Sequence, residues 1–378
     1  MTVKLRSLSE AKDLILRKQF LERFNESASS LRESVYAPFA PKQTYSALLL
    51  NLARERPFDA FLAEAEGRVA GRAAVWSLTA KPGAAGIGLF ESAPGAERDD
   101  ASAMLIDAAS SWATDRGYTE IFAPIDLNTW FSHRFLLPPP DGGTHQILYS
   151  WEPVQPPEYV DAFTRRGFRN AERYHTEIMR FDPGSERSLG KVAELTSDAV
   201  TRATKAGFTF ERLADPARLS ALLDEAHGLC SEAFAENFLF EPIGPELFRT
   251  TLLSGAAVRD STLSHWVRDA TGQMQGFILA FADGDAVVVK TIAISPSARG
   301  NRLSVALTHL AVKEGTRRGL NTLVSALVHG GNVSEILSGP FARACAERST
   351  HEYVLLRRAA AIAPARTLPG NSSNTGNP

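Results

Sequence analysis

Cysteine is scarce. The 378 residues hold two, Cys230 and Cys345, too far apart to form a ligand-spaced cluster. This leaves no disulfide framework and no thiol-based metal site to read, and both cysteines sit in helical-looking segments as expected buried free thiols. Long apolar runs are missing too. Nothing in the chain approaches the ~20 residues of a membrane span, and the opening Met-Thr-Val-Lys-Leu-Arg lacks the apolar core of a secretion signal. The expectation is a protein of the reducing cytoplasm with no membrane partner. Neither charge sign dominates. There are 41 Lys and Arg against 43 Asp and Glu, a net charge of −2 with a pI near 6.5. That balance disfavours nucleic acid as a partner. What remains is ordinary: 44% hydrophobic and 9% aromatic residues, in a chain long enough for two or three domains.

In chain order, residues 3–5 read as a strand, and Ser9 as the cap of a helix through Leu14, Ile15, Phe20 and Leu21. Residues 45–53 read as a helix, 58–64 and 69–78 as a hairpin, 86–91 as a strand, 101–116 as an amphipathic helix and 121–125 as a strand. The turn cluster Asp182-Pro183-Gly184-Ser185 and the polar residues after it suggest a boundary, with domains over 1–182 and 201–360 and a linker over 183–200. The second half opens with a strand over 208–212 and a helix capped by Asp215-Pro216. It continues through the phenylalanines Phe234, Phe238 and Phe240 to a hairpin over 263–282. The tail over 361–378 is rich in Pro, Asn, Ser and Gly and is expected to be disordered.

The two halves share an order. Displaced by 202 positions, Ala109, Thr114, Arg116 and Gly117 fall on Ala311, Thr316, Arg318 and Gly319, and in both halves a helix ends in Arg-Gly before an apolar strand. The most informative stretch lies in the second half. Val287, Val288 and Val289 begin a buried strand ending near Ile294, and Pro296 breaks it. Leu303, Ala306, Leu307, Leu310 and Ala311 then mark an amphipathic helix. Between strand and helix lie Arg299, Gly300, Asn301 and Arg302. Backbone amides converging before a helix N-terminus, flanked by two guanidiniums, suit a pyrophosphate. The matching residues of the first half are Glu97, Arg98, Asp99 and Asp100, whose three carboxylates suit the helix dipole and repel a pyrophosphate.

This strand–loop–helix resembles motif A of the GNAT superfamily of acyl-CoA-dependent N-acyltransferases, in which Arg/Gln-x-x-Gly-x-Gly/Ala precedes the helix. Arg299 matches the first position, Arg302 stands where the central glycine is expected and Ser304 where the last small residue is. Gly88-Leu89-Phe90-Glu91 and the segment 157–168, ending Gly167-Phe168, extend the resemblance to the first half, as a degenerate copy. The implied fold class is α/β with a mixed sheet: two tandem GNAT-like domains, each a mostly antiparallel sheet flanked by helices. The implied activity is transfer of an acyl group, acetyl first among them, from acyl-CoA to the amine of a small molecule. By position, Ile292, Ala293 and Ile294 would pair with pantetheine, Arg299, Gly300, Asn301, Arg302, Leu303 and Ser304 would take the pyrophosphate, and Asn332 would lie near the pantetheine arm. The family's strand carboxylate and helix tyrosine have no counterpart in Val289-Lys290-Thr291 or in residues 334–338. His329 is the leading catalytic candidate, ahead of Ser338 and Tyr353. The alternatives are a non-catalytic acyl-CoA-binding or regulatory protein and an aminoacyl-tRNA-dependent transferase of the Fem type. The acidic balance and the lack of a long charged helical arm argue against the latter.

Overall fold

The computed structural model describes residues 2–32, 42–95, 97–140, 142–143, 145, 149, 151–253, 260–330 and 341–360. The first half carries β1 (Val3–Ser7), α1 (Leu14–Glu26), α2 (Gln43–Leu52), β2 (Phe58–Ala65), β3 (Arg68–Ser77) and β4 (Ala84–Ser92). It continues with α3 (Arg98–Asp115), β5 (Glu120–Ala123), β6 (Phe135–Leu136), α4 (Glu158–Arg165) and β7 (Arg169–Arg180). The second half carries α5 (Leu189–Glu194), α6 (Ser197–Lys205), β8 (Thr209–Arg212), α7 (Leu219–Ala233), α8 (Pro245–Leu253), β9 (His265–Arg268) and β10 (Met274–Asp283). It ends with β11 (Ala286–Ile294), α9 (Leu303–Arg317), β12 (Thr322–His329) and β13 (Glu347–Ala359).

Local chemistry accounts for the elements. The β2–β3 hairpin turns on Glu66 and Gly67, both at positive φ, the two-residue turn whose twist matches its strands. Helices α3 and α9 lie on the sheet through faces of small and aliphatic residues: Ala101, Leu105 and Ala109 in one, Leu303, Ala306 and Leu307 in the other. Gly315 lets α9 approach β11 so closely that a Cβ there would lie 2.2 Å from Val287 Cγ2.

The repeat is visible in the pairing register. In the first half Ala84, Ala85 and Gly86 of β4 lie parallel to Glu120, Ile121 and Phe122 of β5. In the second, Ala286, Val287 and Val288 of β11 lie parallel to Thr322, Leu323 and Val324 of β12, the same pairs 202 positions on. The other pairings are antiparallel. The mixed sheet expected for each half is present, but the two join into one of 13 strands, ordered β1-β2-β3-β4-β5-β13-β7-β12-β11-β10-β9-β8 with β6 on β13. Each half thus gives its last long strand to the other: β7 lies beside β12, β13 beside β5, and the two pair with each other at the centre.

Two expectations are corrected. Asp13, not Ser9, caps α1 by accepting from the Leu16 amide at 2.8 Å, while Ser9 lies in a 3-10 turn. The suggested linker folds into α5 and the start of α6, with Leu189, Val192 and Ala193 buried in a core shared with Leu307 and Ala311 of α9. Cys230 is buried in α7 as expected, and Cys345 is half-buried; both are free thiols. The tail over 361–378 lies outside the described residues.

Candidate functional site

Strand β11 pairs with β12 only from Ala286 to Val289, opposite Thr322 to Ser325. Two local irregularities then separate them. Lys290 is an extra residue in β11 with no partner on β10, where Ala280 faces Val289 and Leu279 faces Thr291. On β12 the register breaks between Ser325 and Val328, with Leu327 at φ +56° and its amide turned to Thr176 Oγ1 at 3.0 Å. Ile292, Ala293 and Ile294 therefore pair with β10 on one edge only.

A cavity of about 990 Å³ opens at this splay and is walled by both halves. Lys290, Thr291, Ile292, Leu327 and His329 come from the second half, with Phe234, Phe238 and Phe240 from the segment after α7. The first half supplies Trp130, His133, Arg134, Trp151 and Glu152. The phenylalanines are partly core and partly wall. Phe234 and Phe240 pack on Trp130 at 6.1 and 5.9 Å between ring centres, and Phe238 on Phe122 at 5.8 Å.

His329 stands on the wall at the end of β12, half-buried, with Nε2 2.8 Å from Glu172 Oε2. A carboxylate there holds the ring with Nε2 protonated and leaves Nδ1 as the basic nitrogen. Tyr353 is placed differently. It is fully buried in β13, its phenol donates to Glu152, which also binds His351, and it is not part of the wall. Ser338 and Asn332 lie outside the described residues.

The loop before α9 holds two residues at positive φ, only one of them a glycine. Gly300 has φ +87° and Arg302 φ +55°, so the arginine occupies the left-handed conformation that a glycine adopts freely. Its guanidinium is drawn aside to Asp198 of α6 at 2.9 Å. No side chain caps α9, so its first-turn amides keep their donors for another group. Arg299 is exposed, reaching the Ala233 carbonyl at 3.4 Å. Residues 299–304 do not line the cavity, which reaches along β11 as far as Ile292.

The equivalent splay of the first half is closed by the chain itself. The Ile125 amide donates to the Ile87 carbonyl at 2.8 Å, and the Leu89 amide to Asp126 Oδ1 at 2.7 Å. A Cβ on Gly88 would lie 2.4 Å from the Ile125 carbonyl oxygen. Burial pushes the Asp126 carboxyl up to about 6, although the Leu89 amide and Tyr45 hydroxyl favour its ionised form. At the start of α3 two of the three carboxylates are already held: Glu97 by Arg68 at 2.6 Å and Asp99 by Arg165 at 2.9 Å.

No family model matches the chain, and no curated protein matches its sequence. Solved structures do. A conserved protein of unknown function from Enterococcus faecalis V583, described as a probable N-acyltransferase, aligns over 96% of this chain and 74% of its own at a TM-score of 0.52 and 10% identity. A tandem GNAT protein from the clavulanic acid biosynthesis pathway aligns over 96% and 100% at 0.49 and 12%. A GCN5-related N-acetyltransferase from Sphaerobacter thermophilus aligns over 96% of each chain at 0.44 and 14%. The Enterococcus faecalis structure shares the overall fold of this chain, in which one strand–helix–strand unit is laid out twice. The expected strand–loop–helix is present within that fold, with an added bulge at Lys290.

Several wall residues have no functional role in the sequence reading, Lys290 and Arg134 among them. Lys290, a lone charge within an apolar β-branched strand, was a signal in itself. Arg134 carried none, because only the tertiary fold brings it to the cavity.

Proposed function

We propose that this protein is an acyl-CoA-dependent N-acyltransferase that binds acetyl-CoA through its second half and acylates the amine of a small molecule held in the shared cavity. The observation that carries this reading is the contrast between the two splays. β11 leaves a free edge from Lys290 onward beside an uncapped helix, whereas Ile125 and Asp126 fill the first-half opening. Ile292, Ala293 and Ile294 would pair with the pantetheine arm. The α9 amides, with Arg299, Gly300, Asn301, Leu303 and Ser304, would hold the pyrophosphate. The left-handed turn at Arg302 fits this because it carries the arginine's bulk away to Asp198. The bound thioester supplies an activated acyl group. His329 would take one proton from the acceptor ammonium at Nδ1, freeing the amine to attack the thioester carbonyl. The C–S bond then breaks and CoA leaves as its thiol with the second nitrogen proton, while Glu172 stabilises the charged ring.

Among the described residues no helix is long and apolar enough to cross a membrane. With two free thiols, a cytoplasmic setting suits the reading.

The test is isothermal titration with acetyl-CoA. The native protein binds at one site, Arg299→Ala weakens it, and Glu97→Ala leaves it unchanged; equal effects would overturn the assignment of the binding half. With an acceptor in hand, His329→Ala lowers kcat by roughly 100-fold or more. An unaltered kcat would remove it from the chemistry.

A further inference from the structure

The cations on the cavity wall are not all paired. Each acidic residue there has at least one oxygen engaged, Glu152 through Oε1 alone. Glu91 is held by Arg32 at 2.6 and 2.8 Å, Asp126 accepts from the Leu89 amide and the Tyr45 hydroxyl, and Glu152 is bound by His351 and Tyr353. Lys42 also lines the cavity but is exposed; two half-buried basic residues have no such partner. Lys290 leans toward the Trp151 ring, its Nζ 5.8 Å from the ring centre, and pairs with no carboxylate among the described residues. The Arg134 guanidinium lies 4.2 Å over the Tyr174 ring, donates to the Leu327 carbonyl at 3.2 Å and touches the His133 ring, again with no carboxylate. They stand on opposite sides of the splay: Lys290 at the point where β11 leaves β12, Arg134 against Leu327 where β12 leaves β11.

Burial alone pushes Lys290 down to about 8, and burial is the main influence lowering Arg134, opposed only by tyrosines. A desolvated cation without a counter-ion is costly. A ligand that brings the anion recovers that cost, and a guanidinium fork is shaped to grip an oxyanion.

We propose that the cavity recognises its ligand by an anionic oxygen group, carboxylate or phosphate, held between Lys290 and Arg134, so that the acceptors are amines that also carry a negative charge. The identification of the ligand as an acceptor rests on the acyltransferase reading; the anion preference itself does not. Trp130 and Trp151 line the same cavity and report on binding.

The experiment follows tryptophan fluorescence, backed by calorimetry, at pH 7 without acyl-CoA. Phenylalanine is compared with phenylalaninamide, and O-phosphoethanolamine with ethanolamine. At least one anionic member binds tenfold or more tightly than its neutral partner, and which pair responds distinguishes carboxylate from phosphate. Lys290→Met and Arg134→Met each reduce that ratio to near one, and Lys290→Arg restores it. Equal affinities within both pairs, binding by none of the four, or a ratio that survives Lys290→Met would overturn the proposal. A parallel titration with acetyl-CoA separates the two claims. An anion preference without acetyl-CoA binding sinks the acyltransferase reading alone, and acetyl-CoA binding without an anion preference sinks this one alone.

Discussion

Replacing Lys290 by methionine should make the protein more stable at neutral pH, and the pH dependence of that gain tests the site's electrostatics. Burial brings the ammonium from 10.5 down to about 8. A shift of that size corresponds to about 3 kcal/mol at full burial, and a half-buried side chain that can draw some water retains about 1–3 kcal/mol. Methionine fills a similar volume, keeps its contact with Trp151 and carries no charge to desolvate. Below pH 8 the lysine is protonated in both folded and unfolded chains, so the penalty is fully present. Between pH 8 and 10.5 the unfolded chain binds the extra proton, and native stability climbs relative to the variant. Urea unfolding of both proteins from pH 6 to 10.5 reads this directly. The variant should lead by about 1–3 kcal/mol at pH 6–7, with the gap closing toward pH 10.5. A variant less stable than native at pH 7, or a gap that ignores pH, would mean that the ammonium already has a counter-ion, and the argument for an anionic ligand would fail.

Asp126 gives the opposite slope. Its carboxyl sits near 6 in the folded chain and near 3.8 when unfolded, so native stability falls as pH rises from 4 to 6. Asp126→Asn removes that fall; relative to native it should gain up to about 3 kcal/mol between pH 4 and 7 in denaturant titrations. Gly88→Ala places a Cβ against the Ile125 carbonyl and the Trp76 ring, contacts that neither neighbour relieves cheaply. It should cost more than about 2 kcal/mol in unfolding while leaving acetyl-CoA affinity per folded molecule intact. Arg302→Gly relieves a left-handed residue and loses one exposed ion pair, so stability should stay level or rise by about 1 kcal/mol. Acetyl-CoA binding by that variant should be no weaker than native; a large loss would place the arginine on the phosphates.

Legibility in the sequence followed the range of the interactions. The β2–β3 hairpin, the strand into α9 and the repeat of Arg-Gly helix ends are set by neighbours in the chain, and they appear where the pattern puts them. Gly117 and Gly319 both take positive φ just past their helices, a C-terminal signal that needs no tertiary partner. The α5 helix was readable in principle, since Leu189, Val192 and Ala193 follow helical spacing, but the surrounding polar residues hid it. The exchange of β7 and β13 was not readable. Both strands alternate as either half would require, and only the closed sheet decides which neighbour they take. The same limit hid the cavity, whose wall joins Lys290 of one half to Trp151 and Arg134 of the other.

That exchange changes what the first copy contributes. Were its closed splay only a lost binding site, its residues near the second-half opening would be surface filler. Instead β7 carries Tyr174, which supports both the Arg134 guanidinium and the His329 ring, and Glu172, which holds His329 itself. The closure rests on Asp126 and Ile125, at the root of the segment that runs on through Trp130 to Arg134. Filling one splay fixes the segment that walls the other. The first copy is thus a structural half of the candidate site: its own opening is shut, and the segment that shuts it carries aromatic and cationic groups that face the open one.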